Sequence, residues 1–243
     1  MPQKRRSGAE HGGPGHGSGS RPLAVKLRRS GRRRKPSSTE WLKRQLNDPY
    51  VSEAHRLGYR SRSAFKLLQL DERFHLLRPG IRVVDLGCAP GGWTQIAAAQ
   101  AGADKGRGAV VGIDLLPADP VAGAILLQGD FRDPATANRI RAALGGPADL
   151  VLSDMAAPAT GHAATDHLRI VALAEDALAF AGTVLRPGGA FVAKVFQGGA
   201  TGDLLAALKR AFATVRHAKP AASRAESAET YVVATGFRGI EPA

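Results

Sequence analysis

The apolar positions change their period at Ile81. Before it they are sparse and, where they recur, helical. After it, short continuous apolar runs alternate with segments of helical period. The runs Ile81–Asp85, Ala109–Ile113, Ala124–Gln128, Asp149–Ser153 and Ala190–Phe196 read as strands. The stretches Trp93 to about Ala101, Pro134–Leu144, about Asp166–Leu185 and Gly202–Phe212 read as helices. Alternation of this kind predicts an α/β fold with a doubly wound parallel sheet. Thr214–Ala218 and Thr230–Thr235 are expected to close the sheet as a hairpin-like unit around Lys219–Ala228. Upstream, Ser38 or Thr39 caps a short helix, Asp48–Tyr59 reads as a loop, and a second helix begins at Ser61. Ala64, Phe65 and Leu68, with Leu67 beside them, form the buried face of that second helix, and Lys66 lies next to it. Pro79-Gly80 closes this region, and the chain shows no internal repeat.

The first strand runs into a glycine turn and then a helix: Val83-Val-Asp-Leu-Gly-Cys-Ala-Pro-Gly-Gly-Trp93. Gly87, Gly91 and Gly92 let backbone approach a ligand where a Cβ would clash. The turn feeds a helix N-terminus, whose free N–H groups suit a carboxylate or phosphate. In doubly wound folds this is the place of nucleotide-like ligands. The spacing, with Pro90 inside the turn, is not the G-x-G-x-x-G of a dinucleotide site, so a nicotinamide oxidoreductase is disfavoured. Asp85 stands at the end of the first strand, where a carboxylate can accept from an amino group or hold a cation. An acidic strand end beside a short glycine turn fits S-adenosylmethionine, which carries a sulfonium, an amino group and a carboxylate.

Charge divides the chain. Residues 1–62 hold 16 Lys and Arg against 4 Asp and Glu, and residues 63–243 hold 18 against 17. Met1 to about Ser38 is rich in Gly, Ser, Arg and Lys and has too few apolar residues to order itself. The organisation expected is a disordered basic arm, 1–37, before a domain, 38–243, with a helical extension over 38–80 and the core over 81–237. A basic arm on a nearly neutral domain points to a polyanionic partner, bound with strong salt dependence. The single cysteine, Cys88, excludes an internal disulfide and lies where a small side chain is needed, so it reads as filler. No apolar run reaches membrane-spanning length, and the basic N-terminus lacks the apolar segment of a secretory signal. The expectation is a cytoplasmic protein without a membrane.

Four aspartates, Asp85, Asp114, Asp130 and Asp154, fall at successive strand ends and are expected to ring one crevice. Asp114 can hold both hydroxyls of a ribose, and Asp130 can accept from an adenine amino group or a backbone amide. Lys194 is the anomaly, inside the apolar run Phe-Val-Ala-Lys-Val-Phe. Burial strips hydration from an ammonium group and favours the neutral amine, and a second cation such as Lys66 favours it further. A lysine so placed can act as general base. Asp154, just past the fourth strand, and Glu229, opening the last, are expected to meet Lys66 and Lys194 at one rim. The seven histidines show no metal-ligand spacing, so no metal is expected.

The segments V-V-D-L-G-C-A-P-G-G-W-T-Q, L-Q-G-D-F-R-D, V-L-S-D-M-A, F-V-A-K-V-F-Q-G and S-R-A-E-S-A-E-T-Y-V-V-A-T-G, with R-S-R-S-A-F-K-L before them, resemble the FtsJ-type ribosomal RNA 2′-O-ribose methyltransferases over about Trp41–Phe237. Q-G-D-F-R-D and K-V-F-Q-G are closer to the bacterial large-subunit enzyme than to its tRNA or mRNA-cap relatives. The resemblance implies a Rossmann-like fold with a seven-stranded, mostly parallel sheet and helices on both faces. It also implies S-adenosylmethionine as cofactor and ribosomal RNA, within the large subunit, as partner of a monomer; a uridine ribose is the expected target. The family's K-D-K-E tetrad falls on Lys66, Asp154, Lys194 and Glu229, with Lys194 as proton acceptor. Its cofactor contacts fall on Gly91, Trp93, Asp114, Asp130 and Asp154, beside Asp85, Gly87, Pro90 and Gly92 of the turn. The chain departs in its longer basic arm and at Ala157, in the loop after Asp154. Methylation of tRNA or a cap, or RNA binding without catalysis, are the alternatives.

Overall fold

Strands buried on both faces need unbroken apolar sequence, and four of the five predicted runs form the centre of the molecule, whereas Ala124–Gln128 lies at the sheet edge and is half-exposed. The computed structural model describes residues 46–197 and 202–240. The basic arm and the helix expected from Ser38 lie outside them. The chain divides into Met1–Asn47 and Asp48–Ala243, and the second unit is the subject below.

In chain order its elements are α1 (Pro49–Leu57), α2 (Ala64–Phe74), β1 (Arg82–Leu86), α3 (Gly92–Ala101), a short 3₁₀ turn (Ala103–Lys105), β2 (Ala109–Asp114), β3 (Ala124–Gln128) and α4 (Pro134–Leu144). There follow β4 (Ala148–Ser153), α5 (Ala163–Val184), β5 (Leu185–Phe196), α6 (Gly202–Ala211), β6 (Phe212–Ala218) and β7 (Glu229–Phe237). The strands make one seven-stranded sheet in the order β3-β2-β1-β4-β5-β7-β6. Pairs from β3 to β5 are parallel, and β7 runs antiparallel to both its neighbours. The last two strands therefore pair as expected, with β7 inserted between β5 and β6. One core (Val84, Ile113, Ile140, Val171, Phe191, Phe212) lies under α4, α5 and α6. The other (Leu67, Leu70, Val83, Trp93, Leu152, Tyr231) lies under α2 and α3. The strand order reverses between β1 and β4, and their C-terminal ends open the crevice of a doubly wound sheet.

Two expectations upstream of the sheet are corrected. Pro49–Leu57 is a helix, not part of a loop. Asp48 accepts from the Tyr50 amide at 3.1 Å as N-cap, Pro49 occupies the first turn, and Gly58 ends it with φ 72°. The buried face of α2 is Ala64, Leu67 and Leu70, with Lys66 buried as well, whereas Phe65 and Leu68 are only half-buried. Phe65 instead meets the rings of Tyr50 and Tyr59, at 5.3 and 5.6 Å between centroids, which α1 and its exit supply.

Candidate active site

Strand register assembles the first half of the site. Lys194 on β5 is directly opposite Tyr231 on β7, and Phe196 is opposite Glu229. On the other side of β5, Ala193 pairs with Ser153, so Asp154 emerges from β4 beside Lys194. Alternation along β7 puts Glu229 and Tyr231 on one face. Lys66 reaches the same spot from the first turn of α2.

The four expected residues meet. Lys194 Nζ lies 2.8 Å from Asp154 Oδ1, donates to the Asp154 carbonyl at 2.8 Å, and is 3.8 Å from Glu229 Oε2. Lys66 Nζ sits 2.7 and 2.9 Å from the two oxygens of Glu229. Each lysine is 9% exposed. Glu229 draws Lys66 inward from beside its helix face. Two residues join the cluster that sequence reasoning did not name. Tyr231, fully buried, donates to Asp154 Oδ1 at 2.6 Å and lies 3.2 Å from Glu229 Oε1. Ser223 donates to Glu229 Oε1 at 2.8 Å. Burial, then the Asp154 and Glu229 charges, push the Tyr231 hydroxyl well above its ordinary range, so it remains a donor. Burial alone would raise the Glu229 carboxyl, but Lys66 and Lys194 outweigh it and hold it below the ordinary range.

The loop that carries Ser223 is fixed by the helical extension. Arg62 donates to the Ala222 carbonyl and pairs with Asp48. Gln69 Oε1 accepts from the Ala222 amide at 2.8 Å, and Arg224 reaches Asp48 at 3.4 Å. The α1–α2 segment thus supplies Lys66 and also holds the turn that places Ser223 against Glu229.

The second half is a cavity of about 470 Å³ at the strand ends. Ile113, Leu115, Leu116, Phe131, Met155 and Leu173 give it apolar walls, and Asp114, Asp130 and Asp154 give it three carboxylates. Asp154 is common to the cavity and the lysine cluster. Asp114 is oriented by two backbone amides, Ala89 on Oδ2 at 2.9 Å and Leu116 on Oδ1 at 2.8 Å. Gly87, with φ 76°, forms part of the wall, and a Cβ there would stand 2.3 Å from Met155 Cγ. Pro90 follows a cis peptide bond, and its carbonyl accepts from Arg60 Nη1 at 3.1 Å. Gly91 caps α3 with φ 109°, and Gly92 opens the helix where a Cβ would meet Ser61 Oγ at 2.3 Å. The Trp93 ring packs on Tyr231 at 5.5 Å and donates to the Ser63 carbonyl at 2.8 Å, outside the cavity wall.

Asp85 corrects the picture of four acids around one crevice. It is 1% exposed and not on the wall; its Oδ2 accepts from Thr94 Oγ1 at 2.6 Å, and its Oδ1 has no partner. Burial, above all, pushes its carboxyl up to about 7, with the Asp154 and Asp114 charges adding to the effect against the Thr94 hydrogen bond. Cys88 is also buried, and burial followed by the Asp85 and Asp114 charges pushes its thiol up to about 12. That fits an unreactive filler. Among the described residues no three His, Cys, Asp or Glu side chains group as metal ligands, and no helix is long and apolar enough to cross a membrane.

The wall chemistry fits a nucleoside bearing a positive charge. Apolar surfaces receive a base, the fixed Asp114 suits a diol, and Asp154 can face a cation. The FtsJ-like methyltransferase family model matches residues 59–237. A Paramagnetospirillum magneticum protein named ribosomal RNA large subunit methyltransferase E is 65% identical over 237 residues, covering 97% of each chain. A protein of the same name from Azorhizobium caulinodans is 61% identical over 90% of this chain and 91% of its own. Among solved structures, a Plasmodium falciparum protein described as a ribosomal RNA methyltransferase superposes with a TM-score of 0.66 at 29% identity, covering 74% of this chain and all of that one.

Proposed function

The chain belongs to the FtsJ-like methyltransferase family, and on that premise we propose that it methylates the 2′-hydroxyl of a ribose, a uridine's, in large-subunit ribosomal RNA, with Lys194 as general base. The substrate class follows its relatives, which are named ribosomal RNA large subunit methyltransferase E at 57 to 65% identity. The observation that carries the chemistry is the Lys194 amine, held at 2.8 Å by both the carboxylate and the carbonyl of Asp154, a residue that also walls the cavity.

S-adenosylmethionine, when bound, supplies an electrophilic methyl group on a sulfonium. Asp114 would hold its ribose, Asp130 its adenine amino group, and Asp154 would face its positive charge. The remaining work belongs to the cluster. In the free protein two lysines oppose two carboxylates, so the group is charge-balanced. Asp154 and Glu229, 2.8 and 3.8 Å from the Lys194 nitrogen, would stabilise the ammonium that forms on it. Lys194 is then able to accept the proton of an attacking hydroxyl. Glu229 and Lys66 would position the substrate ribose beside Lys194, and Tyr231 keeps the Asp154 carboxylate oriented. Aligning two reactants is worth roughly 7–11 kcal/mol, and a positioned base adds about 10²–10⁴-fold. Protein that performs this task needs rigid carriers, and three of the four tetrad residues lie on or at the end of sheet strands.

The test is incubation of unmodified large ribosomal subunits with the protein and methyl-labelled S-adenosylmethionine, followed by mapping of the label. A new 2′-O-methyl in the large-subunit RNA is expected. Label appearing only in tRNA or a cap would move the substrate. Cofactor binding without transfer to any RNA would leave a non-catalytic RNA-binding protein.

A further inference from the structure

Asp130 is not free to accept a ligand. Its two oxygens take four contacts from a single neighbour: Arg132 N at 3.0 Å, Nε at 2.9 and 3.1 Å, and Nη2 at 2.6 Å. A carboxylate offers about four lone-pair positions, so the set is filled. Both residues stand on the cavity wall. A second acceptor lies within reach of the same guanidinium, since Asp176 Oδ2 on α5 is 3.4 Å from Nη1. The Arg132 side chain is 55% exposed, so nothing packs it into one position. It stands between two carboxylates and is engaged mainly with the one the cavity needs.

We propose that Arg132 is a latch on the cofactor cavity, pairing with Asp130 while the cavity is open and shifting to Asp176 when a purine amino group takes Asp130. The proposal rests on the reading of the cavity as an S-adenosylmethionine site. Arg132 is a positioning residue in this scheme, because it acts through Asp130. The consequence has a sign opposite to that of an ordinary binding-site deletion. Removing the guanidinium frees Asp130 in advance and tightens binding. An exposed ion pair of this kind sets the gain at about 2- to 5-fold.

Calorimetric titration of the full chain with S-adenosylhomocysteine, which lacks the sulfonium charge, reads this directly. Raising salt from about 20 to about 300 mM screens an exposed pair, so wild-type affinity is expected to rise with salt. Arg132→Ala is expected to bind about 2- to 5-fold more tightly than wild type at low salt and to lose the salt response. Asp176→Asn removes the second seat and is expected to weaken binding, with no effect in the Arg132→Ala background. Equal or weaker binding by Arg132→Ala, or an unchanged salt response, overturns the latch while leaving the cofactor reading intact. A wild-type protein that bound no S-adenosylhomocysteine would sink the cofactor reading itself and the latch with it.

Discussion

Asp85→Asn tests the electrostatics beneath the glycine turn. The native carboxyl is buried, has one donor in Thr94, and is pushed by burial up to about 7 from an unfolded value of 3.8. The folded-state value is raised, so between these two pH values the folded protein holds a proton that the unfolded chain has lost. Stability then falls with rising pH, by about 1.4 kcal/mol per unit, and levels off once both states are ionised above about pH 7. Integrated between pH 5 and pH 8, the loss is about 2.5 kcal/mol. The other buried or paired acids with clear shifts (Asp149, Asp130, Glu229) are lowered, so their contributions are lost only as pH falls through the acidic range. Urea unfolding at pH 5, 6, 7 and 8 measures the effect as the difference between wild type and variant, which cancels every group they share. Absolute stability does not decide the matter, since the amide brings its own unsatisfied donor. The slope does: the wild-type advantage over Asp85→Asn is expected to shrink by about 2.5 kcal/mol from pH 5 to pH 8. Parallel stability curves would falsify the assignment of a raised carboxyl at this position.

Lys194→Ala is expected to lower methyl transfer by about 10²–10⁴-fold with S-adenosylhomocysteine affinity unchanged; near-wild-type turnover would remove Lys194 from the role of base. Tyr231→Phe deletes the 2.6 Å donation to Asp154 and is expected to cost about 1–3 kcal/mol of folding stability and to lower kcat more than it raises KM; an unaltered kcat would show that Asp154 needs no such support. Gly91→Ala places a Cβ at φ 109° and 2.9 Å from Arg60 Nη1, so thermal unfolding should show a loss of about 1–3 kcal/mol, and a variant as stable as wild type would argue against strain in the turn. Removing residues 1–37 is expected to flatten the salt dependence of RNA binding without changing cofactor affinity; an equal slope in filter binding would make the arm a spectator.

The sheet was legible because strands covered on both faces leave continuous apolar runs, and those runs survive even where propensity is weak. The extension was not, and its two errors have one cause. Asp48-Pro49 and Gly58 carry the start and stop of a helix, but only Ala54 of that helix is buried, so no apolar period announces it. Without α1, which with its exit supplies Tyr50 and Tyr59, the pattern offers Phe65 no partner outside the core and turns the buried face of α2 toward it. The tetrad was readable as four residue types at strand and helix ends, whereas Tyr231 was absorbed into an apolar strand although its spacing of two from Glu229 places both on one face.

The four strand-end aspartates show how fine the remaining distinction is. Asp85 lies inside the ladder: it pairs with Gly112 and Leu152, and Leu86 still follows it in β1. Asp114 is the last residue of β2, Asp154 follows the last residue of β4, and Asp130 lies beyond β3. A carboxylate within the ladder is enclosed by the neighbouring strands and by Thr94 at the head of α3, whereas one at the end projects into the crevice. Two residues of register therefore separate the buried Asp85, opposite Gly112 and Leu152, from Asp114 and Asp154 at the crevice, and a strand boundary read from sequence is uncertain by at least that much.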